Sequence, residues 1–156
     1  MSTTDQDFNN NNNQSSLINR SATTQSAGST RVGADLDVAS VVAVLGLAVT
    51  LWIHLKDLSD KFAETPYLGV GYAVLVVAAV AAAVMIATGR QRGWLLAGGA
   101  CAATIVGFVL TRTTGLPAAT GDIGNWSEPA GIYALIAEGA VIAATAYVLI
   151  GSRQRS

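Results

Sequence analysis

Four apolar segments constrain the fold of this chain more than any other feature. They cover residues 38–55, 67–87, 93–110 and 130–150. An α-helix needs about 20 apolar residues, with a range of roughly 17–25, to cross about 30 Å of hydrocarbon. Helices buried in soluble proteins keep a polar stripe, whereas these segments are apolar all round. The sequence therefore predicts an all-α fold, an integral membrane four-helix bundle within residues 35–151 that is surrounded by the lipid bilayer.

The two ends of the chain are polar. Residues 1–34 contain an Asn-rich run and almost no large apolar side chains. Burial there cannot offset an ordering cost of about 1–2 kcal/mol per residue. We therefore predict a disordered polar N-terminal tail over residues 1–34 and a short C-terminal tail over residues 152–156. A regulatory role for the Asn run is a minor alternative.

Basic residues in the short connectors predict the orientation, because cytoplasmic loops are enriched in Lys and Arg. With four spans, both tails and the connector at 88–93 lie on one side. That side carries Arg20, Arg31, Arg90, Arg92, Arg153 and Arg155. The other side carries basic and acidic residues together: Lys56, Lys61, Arg112, Asp57, Asp60, Glu64, Asp122 and Glu128. We therefore predict that the N- and C-termini are both cytoplasmic.

Composition argues against several classes of function. The net charge is −1 and no basic patch is visible, so we expect no nucleic-acid partner. A single Cys101 and a single His54 provide neither a Cys-rich metal cage nor two haem ligands, and the acidic residues match no calcium loop. No base stands beside Ser127, and no Gly-x-Ser-x-Gly motif is present. We predict no enzyme activity, no catalytic residues, no metal and no cofactor.

Glu138 is the most informative charged residue. It lies about eight residues into the fourth segment, or roughly 12 Å from the outer end of that span. An unpaired carboxylate at this depth costs several kcal/mol unless it is protonated or paired. We give two interpretations equal weight. One is a proton-exchanging or cation-binding carboxylate, and the other is a protonated Glu that stabilises helix packing by about 0.6–2 kcal/mol.

His54 and Arg112 end the first and third segments at the same outer boundary. We estimate that His54 and Glu138 differ in depth by roughly 9 Å, too far for direct contact between untilted helices. Arg112 is longer and could extend toward Glu138. The more common fate of such residues is interfacial: Arg112 as a snorkelling cation, and His54 as an imidazole beside Trp52 in an aromatic belt.

The connector between the third and fourth segments contains turn-forming and anchoring residues, and these form a candidate loop cap: Gly115, Pro117, Asp122 and Trp126. Gly and Pro favour a sharp turn, and Trp favours the headgroup level. Glu128 precedes a helix start and could pair with Arg112. We predict that the connector caps the mouth of the bundle and holds a functional cluster of His54, Arg112 and Glu128 above Glu138.

Two motifs carry a resemblance to a group of known proteins. The stretches "RTTGLP" and "EPAGIYALIAEGA" resemble the R-T-x-G-L-P … E-P-x-G … E pattern of uncharacterised small four-span bacterial integral membrane proteins. The resemblance spans residues 38–150 and maps onto His54, Arg112, Gly115, Leu116, Pro117, Glu128, Pro129, Gly131 and Glu138. It implies the fold, a shared outer site and a bacterial inner (plasma) membrane location, but no activity.

Elimination leaves two functional hypotheses from different classes. The leading hypothesis is a non-enzymatic accessory or helper subunit of a membrane complex, whose partners are other membrane protein subunits. The alternative is an oligomeric proton- or cation-linked transporter or channel component, a homo-oligomer in which Glu138 exchanges the ion while Arg112 and His54 influence its protonation. The alternative requires Glu138 to face a water-filled cavity, whereas a helper subunit would bury it against another helix.

Overall fold

The computed structural model describes residues 38–154, and within them the chain forms four helices. These are α1 (Val38–Glu64), α2 (Pro66–Ala87), α3 (Arg92–Thr113) and α4 (Pro129–Arg153). All four are long and apolar enough to cross a membrane. The prediction of an all-α four-helix membrane protein is confirmed. The N-terminal tail predicted for residues 1–34 lies outside the described residues.

α1 continues well beyond its apolar segment. The span expected to end at residue 55 is part of a helix that runs to Glu64. The added turns are polar, and Lys61 Nζ lies 2.8 Å from Glu64 Oε2 one turn away. Pro66 then starts α2, and the residue before a proline is disfavoured in the helical conformation, so α1 ends there. α1 therefore carries charged side chains to the end of the bundle.

The bundle has two distinct ends. At one, which we call the hairpin end, residues 88–91 join α2 to α3. Gly89 adopts a left-handed φ of 72°, and its N–H donates to the carbonyl of Ile86 at 2.9 Å, as is typical of a helix C-terminus. At the other, which we call the loop end, α1 meets α2 and the connector 114–128 joins α3 to α4. Charged residues of the described chain lie near these ends, with Glu138 as the exception.

The outer surface of the bundle is apolar. No more than a third of the most apolar window of any helix is buried inside the bundle. Large side chains such as Val77 on α2, Val106 on α3 and Ile136 on α4 are mostly exposed. Contiguous exposed apolar surface of this extent suits lipid and not water. This is a multi-pass membrane protein.

Small residues let the helices approach closely. A Cβ added to Gly46 of α1 would lie 2.6 Å from Val141 Cγ2 and 3.0 Å from the carbonyl oxygen of Ala137 on α4. A Cβ on Gly98 of α3 would lie 2.9 Å from Thr145 Cγ2. Close backbone approach replaces the hydrophobic driving force that lipid does not supply. These contacts also fix the register, since Gly46 lies level with the turn 137–141 of α4.

Candidate functional site

Arg112 organises the loop end. It lies one residue before the end of α3 and is only 5% exposed. Its Nη1 lies 3.1 Å from Oδ2 of Asp122, and its Nη2 donates to Oε2 of Glu128. The connector therefore places two carboxylates in contact with one buried guanidinium. The predicted pairing of Arg112 with Glu128 is present, and Asp122 is a second counter-ion.

The guanidinium is also packed against aromatic rings. Its Cζ lies 4.7 Å from the ring centroid of Phe108, one helical turn earlier on α3. Phe108 in turn meets the Trp126 ring edge-on, with centroids 6.1 Å apart. A cation over an aromatic face gains about 0.5–2 kcal/mol, more as water is excluded. Trp126 therefore anchors the connector to α3 through its contact with Phe108. Its ring is also half exposed, as suits a Trp at the headgroup level.

A tight turn gives the connector its shape. Gly115 follows α3 with a left-handed φ of 72°, and its N–H donates to the carbonyl of Leu110 at 2.9 Å. Leu116 and Ala119 then exchange two backbone hydrogen bonds around Pro117 and Ala118. Proline presets the first corner of such a turn, and Ala118 takes the left-handed second corner with φ 58°. Gly115 and Pro117 thus have the turning role expected from the sequence.

The turn is tied to the junction of α1 and α2. The Tyr67 hydroxyl donates to the carbonyl of Pro117 at 2.7 Å, and the Thr65 hydroxyl donates to the carbonyl of Ala118 at 3.4 Å. On the α3 side, the N–H of Gly124 donates to the carbonyl of Arg112 at 2.9 Å. The connector therefore crosses the loop end from α3 to the start of α2, as a cap would.

His54 lies inside the bundle and not at its lipid surface. Its Nδ1 is 2.8 Å from the carbonyl oxygen of Thr50, and its ring meets Tyr72 of α2 edge-on with centroids 4.8 Å apart. Trp52, two residues earlier, is mostly exposed on the opposite side of α1. The expectation of an imidazole beside Trp52 in an aromatic belt does not match this placement. Residues two positions apart on a helix are separated by about 200° around the helix axis, so His54 and Trp52 cannot share a face.

Glu138 is buried at mid-depth. It lies nine residues into α4, about 14 Å along the helix from Pro129, and is 1% exposed. Arg112 forms no ion pair with it, since the described partners of that guanidinium are Asp122 and Glu128. Oε1 of Glu138 has no hydrogen-bond partner within residues 38–154. A buried polar atom without a partner costs about 1–3 kcal/mol, so Glu138 has capacity for a ligand.

A cavity connects these residues. Its volume is about 970 Å³, and all four helices and the connector line it. His54, Tyr72, Arg112 and Glu138 all line it, although Arg112 and Glu138 form no ion pair with each other. The cavity thus joins the polar loop end to the isolated carboxyl in the middle of the bundle.

Two further polar atoms near this path lack hydrogen-bond partners among residues 38–154. They are Nε of Arg112, a residue that lines the cavity, and Oγ1 of Thr50, which is fully buried. Thr50 lies four residues beyond Gly46 on α1, and Gly46 is level with residues 137–141. Thr50 is thus about 6 Å nearer the loop end than Gly46, between the levels of Glu138 and His54.

Some contributors to the site were not expected from the sequence. Tyr72 and Thr50 sit in apolar segments with nothing to distinguish them from packing residues. Phe108 was detectable, because it precedes Arg112 by four residues and so lies on the same face of α3. The set of three or more acidic, His or Cys side chains that a metal site needs is not found within the described residues.

Comparisons with protein-family models, with curated proteins and with solved structures gave no match to this chain. The resemblance based on "RTTGLP" and "EPAGIYALIAEGA" stays a prediction.

Proposed function

We propose that the protein is a proton- or cation-linked transporter or channel component, and that Glu138 is the exchanging carboxylate. The observation that supports this most is that Glu138 lines the cavity while its Oε1 has no hydrogen-bond partner among the described residues. A carboxyl with a purely structural role would bond to another helix. An ionisable group within a span and facing a cavity is a functional site by default.

The polar half of the cavity supports access of water to Glu138. At the loop end the lining includes Asp57, Lys61 and Glu64 of α1, and these charged groups require hydration. His54 and Tyr72 lie farther along the wall and add polar atoms. Ions could therefore approach Glu138 from the loop end without crossing lipid.

We further propose that the loop end faces outward and the hairpin end faces the cytoplasm of a bacterium. Arg90, Arg92 and Arg153 lie at the hairpin end of the described chain. The loop end carries Lys56, Lys61 and Arg112, while the sequence adds Arg20, Arg31 and Arg155 in the two tails, which four spans place on the side of the hairpin connector. The bias of Lys and Arg toward cytoplasmic loops supports this orientation. The cavity would then open to the outside.

Carbodiimide modification tests the role of Glu138. Hydrophobic carbodiimides add to carboxyl groups in apolar, accessible sites, so we expect dicyclohexylcarbodiimide to label Glu138 in native membranes and to block proton or cation flux in proteoliposomes. Peptide mass spectrometry locates the adduct. Glu138→Gln, which is nearly isosteric, should lose both labelling and flux. Glu128→Gln is the matched control, because Glu128 is ion-paired at the loop end, and it should keep the label. An unlabelled Glu138 in folded protein would refute the proposal.

The accessory-subunit hypothesis makes a different prediction for the assembly. Four helices rarely enclose a pore alone, so an ion-conducting role predicts a homo-oligomer of fixed size. We expect a mild-detergent pull-down of tagged protein from its native membrane to recover copies of this chain in constant ratio, quantified by mass spectrometry. Recovery of a different protein in stoichiometric amount would instead support the accessory-subunit hypothesis and contradict ours.

A further inference from the structure

The cavity extends beyond Glu138 as an apolar groove. On the far side of the carboxyl, toward the hairpin end, its walls are formed by Leu75 and Ala78 of α2 and by Gly99 and Ala103 of α3. Gly98 of α3 is level with Thr145 of α4, so Gly99 lies roughly 9 Å nearer the hairpin end than Glu138. A proton or a metal ion would make no contacts with these apolar walls.

Glycines keep the cavity open between α2 and α3. Gly71 of α2 and Gly99 and Gly107 of α3 line the cavity, and a Cβ added to any of them would meet no atom within 4 Å. Gly93 differs, since its Cβ would lie 2.8 Å from Met85 Cβ where α2 and α3 pack closely. α2 and α3 therefore pack closely at the hairpin end and leave space between them toward the loop end. A cavity of about 970 Å³ matches the size of sites for organic molecules.

The groove also reaches the side of the bundle. Val74 of α2 and Leu95 of α3 both line the cavity, yet they are 64% and 61% exposed. The cavity is therefore open laterally between these helices, toward the lipid. An apolar molecule could enter from the bilayer without passing the charged loop end.

The charges that face the cavity favour a cation. The lining contains five carboxylates and two basic side chains: Asp57, Glu64, Asp122, Glu128, Glu138, Lys61 and Arg112. With all of them ionised, negative charges exceed positive ones by three. Arg112 is already engaged by two carboxylates, while Glu138 forms no ion pair within residues 38–154. The rings of Tyr72 and Phe108 also line the cavity, and aromatic faces attract organic cations.

An inorganic ion fits the surroundings of Glu138 less well. Hard cations take about six oxygen ligands, and near Glu138 the lining is largely Ala, Gly and Leu. The Thr104 hydroxyl, also in the lining, donates to the carbonyl of Ala100 at 2.7 Å. The single carboxyl of Glu138 in an apolar groove is better suited to bind an organic cation that carries one delocalised positive charge on an apolar body.

We infer that the cavity binds a lipophilic organic monocation, with its charged centre at Glu138 and its apolar body along the Gly99 groove. This inference rests on the proposed function, because it names the substrate class of the same carboxyl. The ligand enters between α2 and α3, and the Glu138 carboxylate is its counter-ion.

Tetraphenylphosphonium is the probe for a direct binding experiment on the purified full chain in mild detergent, with equilibrium dialysis as the readout. We expect saturable binding that Glu138→Gln weakens at least about tenfold. Gly99→Leu fills the apolar groove without contacting Glu138, and it should weaken binding by a similar factor. Gly139→Leu is the matched control, since Gly139 lies outside the cavity lining and its added Cβ also meets nothing within 4 Å. It should bind like the unmodified chain.

The outcomes separate this inference from the proposed function. If Glu138 is labelled by carbodiimide and carries flux, but tetraphenylphosphonium does not bind, the ligand class is wrong and the exchanging carboxylate stands. Binding that persists in both Glu138→Gln and Gly99→Leu would place the probe elsewhere and overturn the inference. If Glu138 is neither labelled nor needed for binding, both proposals fail.

Discussion

Removal of both carboxylates that face Arg112 is expected to destabilise the bundle more than removal of Arg112 itself. Arg112 is 5% exposed, whereas Asp122 and Glu128 keep about 40% of their side-chain surface in contact with solvent. The double variant Asp122→Asn, Glu128→Gln leaves an uncompensated buried cation, which costs about 3–5 kcal/mol. Arg112→Ala leaves two carboxylates that water can hydrate, so we expect about 1–3 kcal/mol.

Each carboxylate also compensates for loss of the other. Because Nη1 and Nη2 of Arg112 contact different residues, either single variant keeps one counter-ion and should cost only about 1 kcal/mol. The two losses should therefore combine non-additively, which a double-mutant cycle measures as a coupling energy. The free energy of unfolding in mixed detergent micelles is the quantity to compare.

The Lys61–Glu64 pair supplies the control for this series. It is an i,i+3 pair in which Glu64 is 63% exposed. Glu64→Gln should change the free energy of unfolding by no more than about 0.5–1 kcal/mol, as exposed pairs do. A double Asp122, Glu128 variant as stable as Arg112→Ala would show that the guanidinium does not depend on these counter-ions.

Gly46→Val is expected to disrupt the contact between α1 and α4. Its Cβ would approach Val141 Cγ2 to 2.6 Å and the Ala137 carbonyl oxygen to 3.0 Å, and the second of these is backbone that cannot rotate away. Overpacking of this kind costs about 1–3 kcal/mol or more. The shift should appear as a lower thermal midpoint in detergent and as weaker packing of α1 on α4.

Gly139→Val separates this clash from general effects of valine in a helix. Gly139 lies on α4 near the same level, and a Cβ there would meet nothing within 4 Å. Both substitutions remove a glycine and add the same β-branched side chain, so helix propensity changes alike. Equal effects of the two variants on the thermal midpoint would mean that the close α1–α4 approach contributes nothing specific.

The glycine pair in α3 illustrates what the sequence left open. In the sequence, Gly98 and Gly99 are adjacent glycines of the third apolar segment, and nothing distinguishes one from the other. In the structure Gly98 packs against Thr145, while Gly99 lines the cavity with open space beside it. Adjacent helical residues point about 100° apart, so they serve different surfaces. An amphipathic helix would reveal its inner face by polarity, but a helix that is apolar all round carries no such mark.

Several features were determined by the sequence alone. The thickness of hydrocarbon and the length of the four apolar segments decided the number of spans. Gly115 and Pro117 predicted the turn of the connector, because glycine readily takes a positive φ and the proline ring fixes φ at a value suited to a turn. Opposite charge predicted the pairing of Arg112 with Glu128. The apolar segments did not predict the polar extension of α1 to Glu64, directly before the α2 helix that Pro66 starts.

Only the tertiary structure decided the surroundings of Glu138. The sequence allowed Arg112 to extend toward that carboxyl, yet two carboxylates of the connector hold the guanidinium at the loop end instead. In the structure His54 also points inward and contacts Tyr72, and a cavity lies between α2 and α3. Segment length and composition set how far each helix extends, whereas helix rotation and splay, which depend on packing between distant residues, set what each buried group faces.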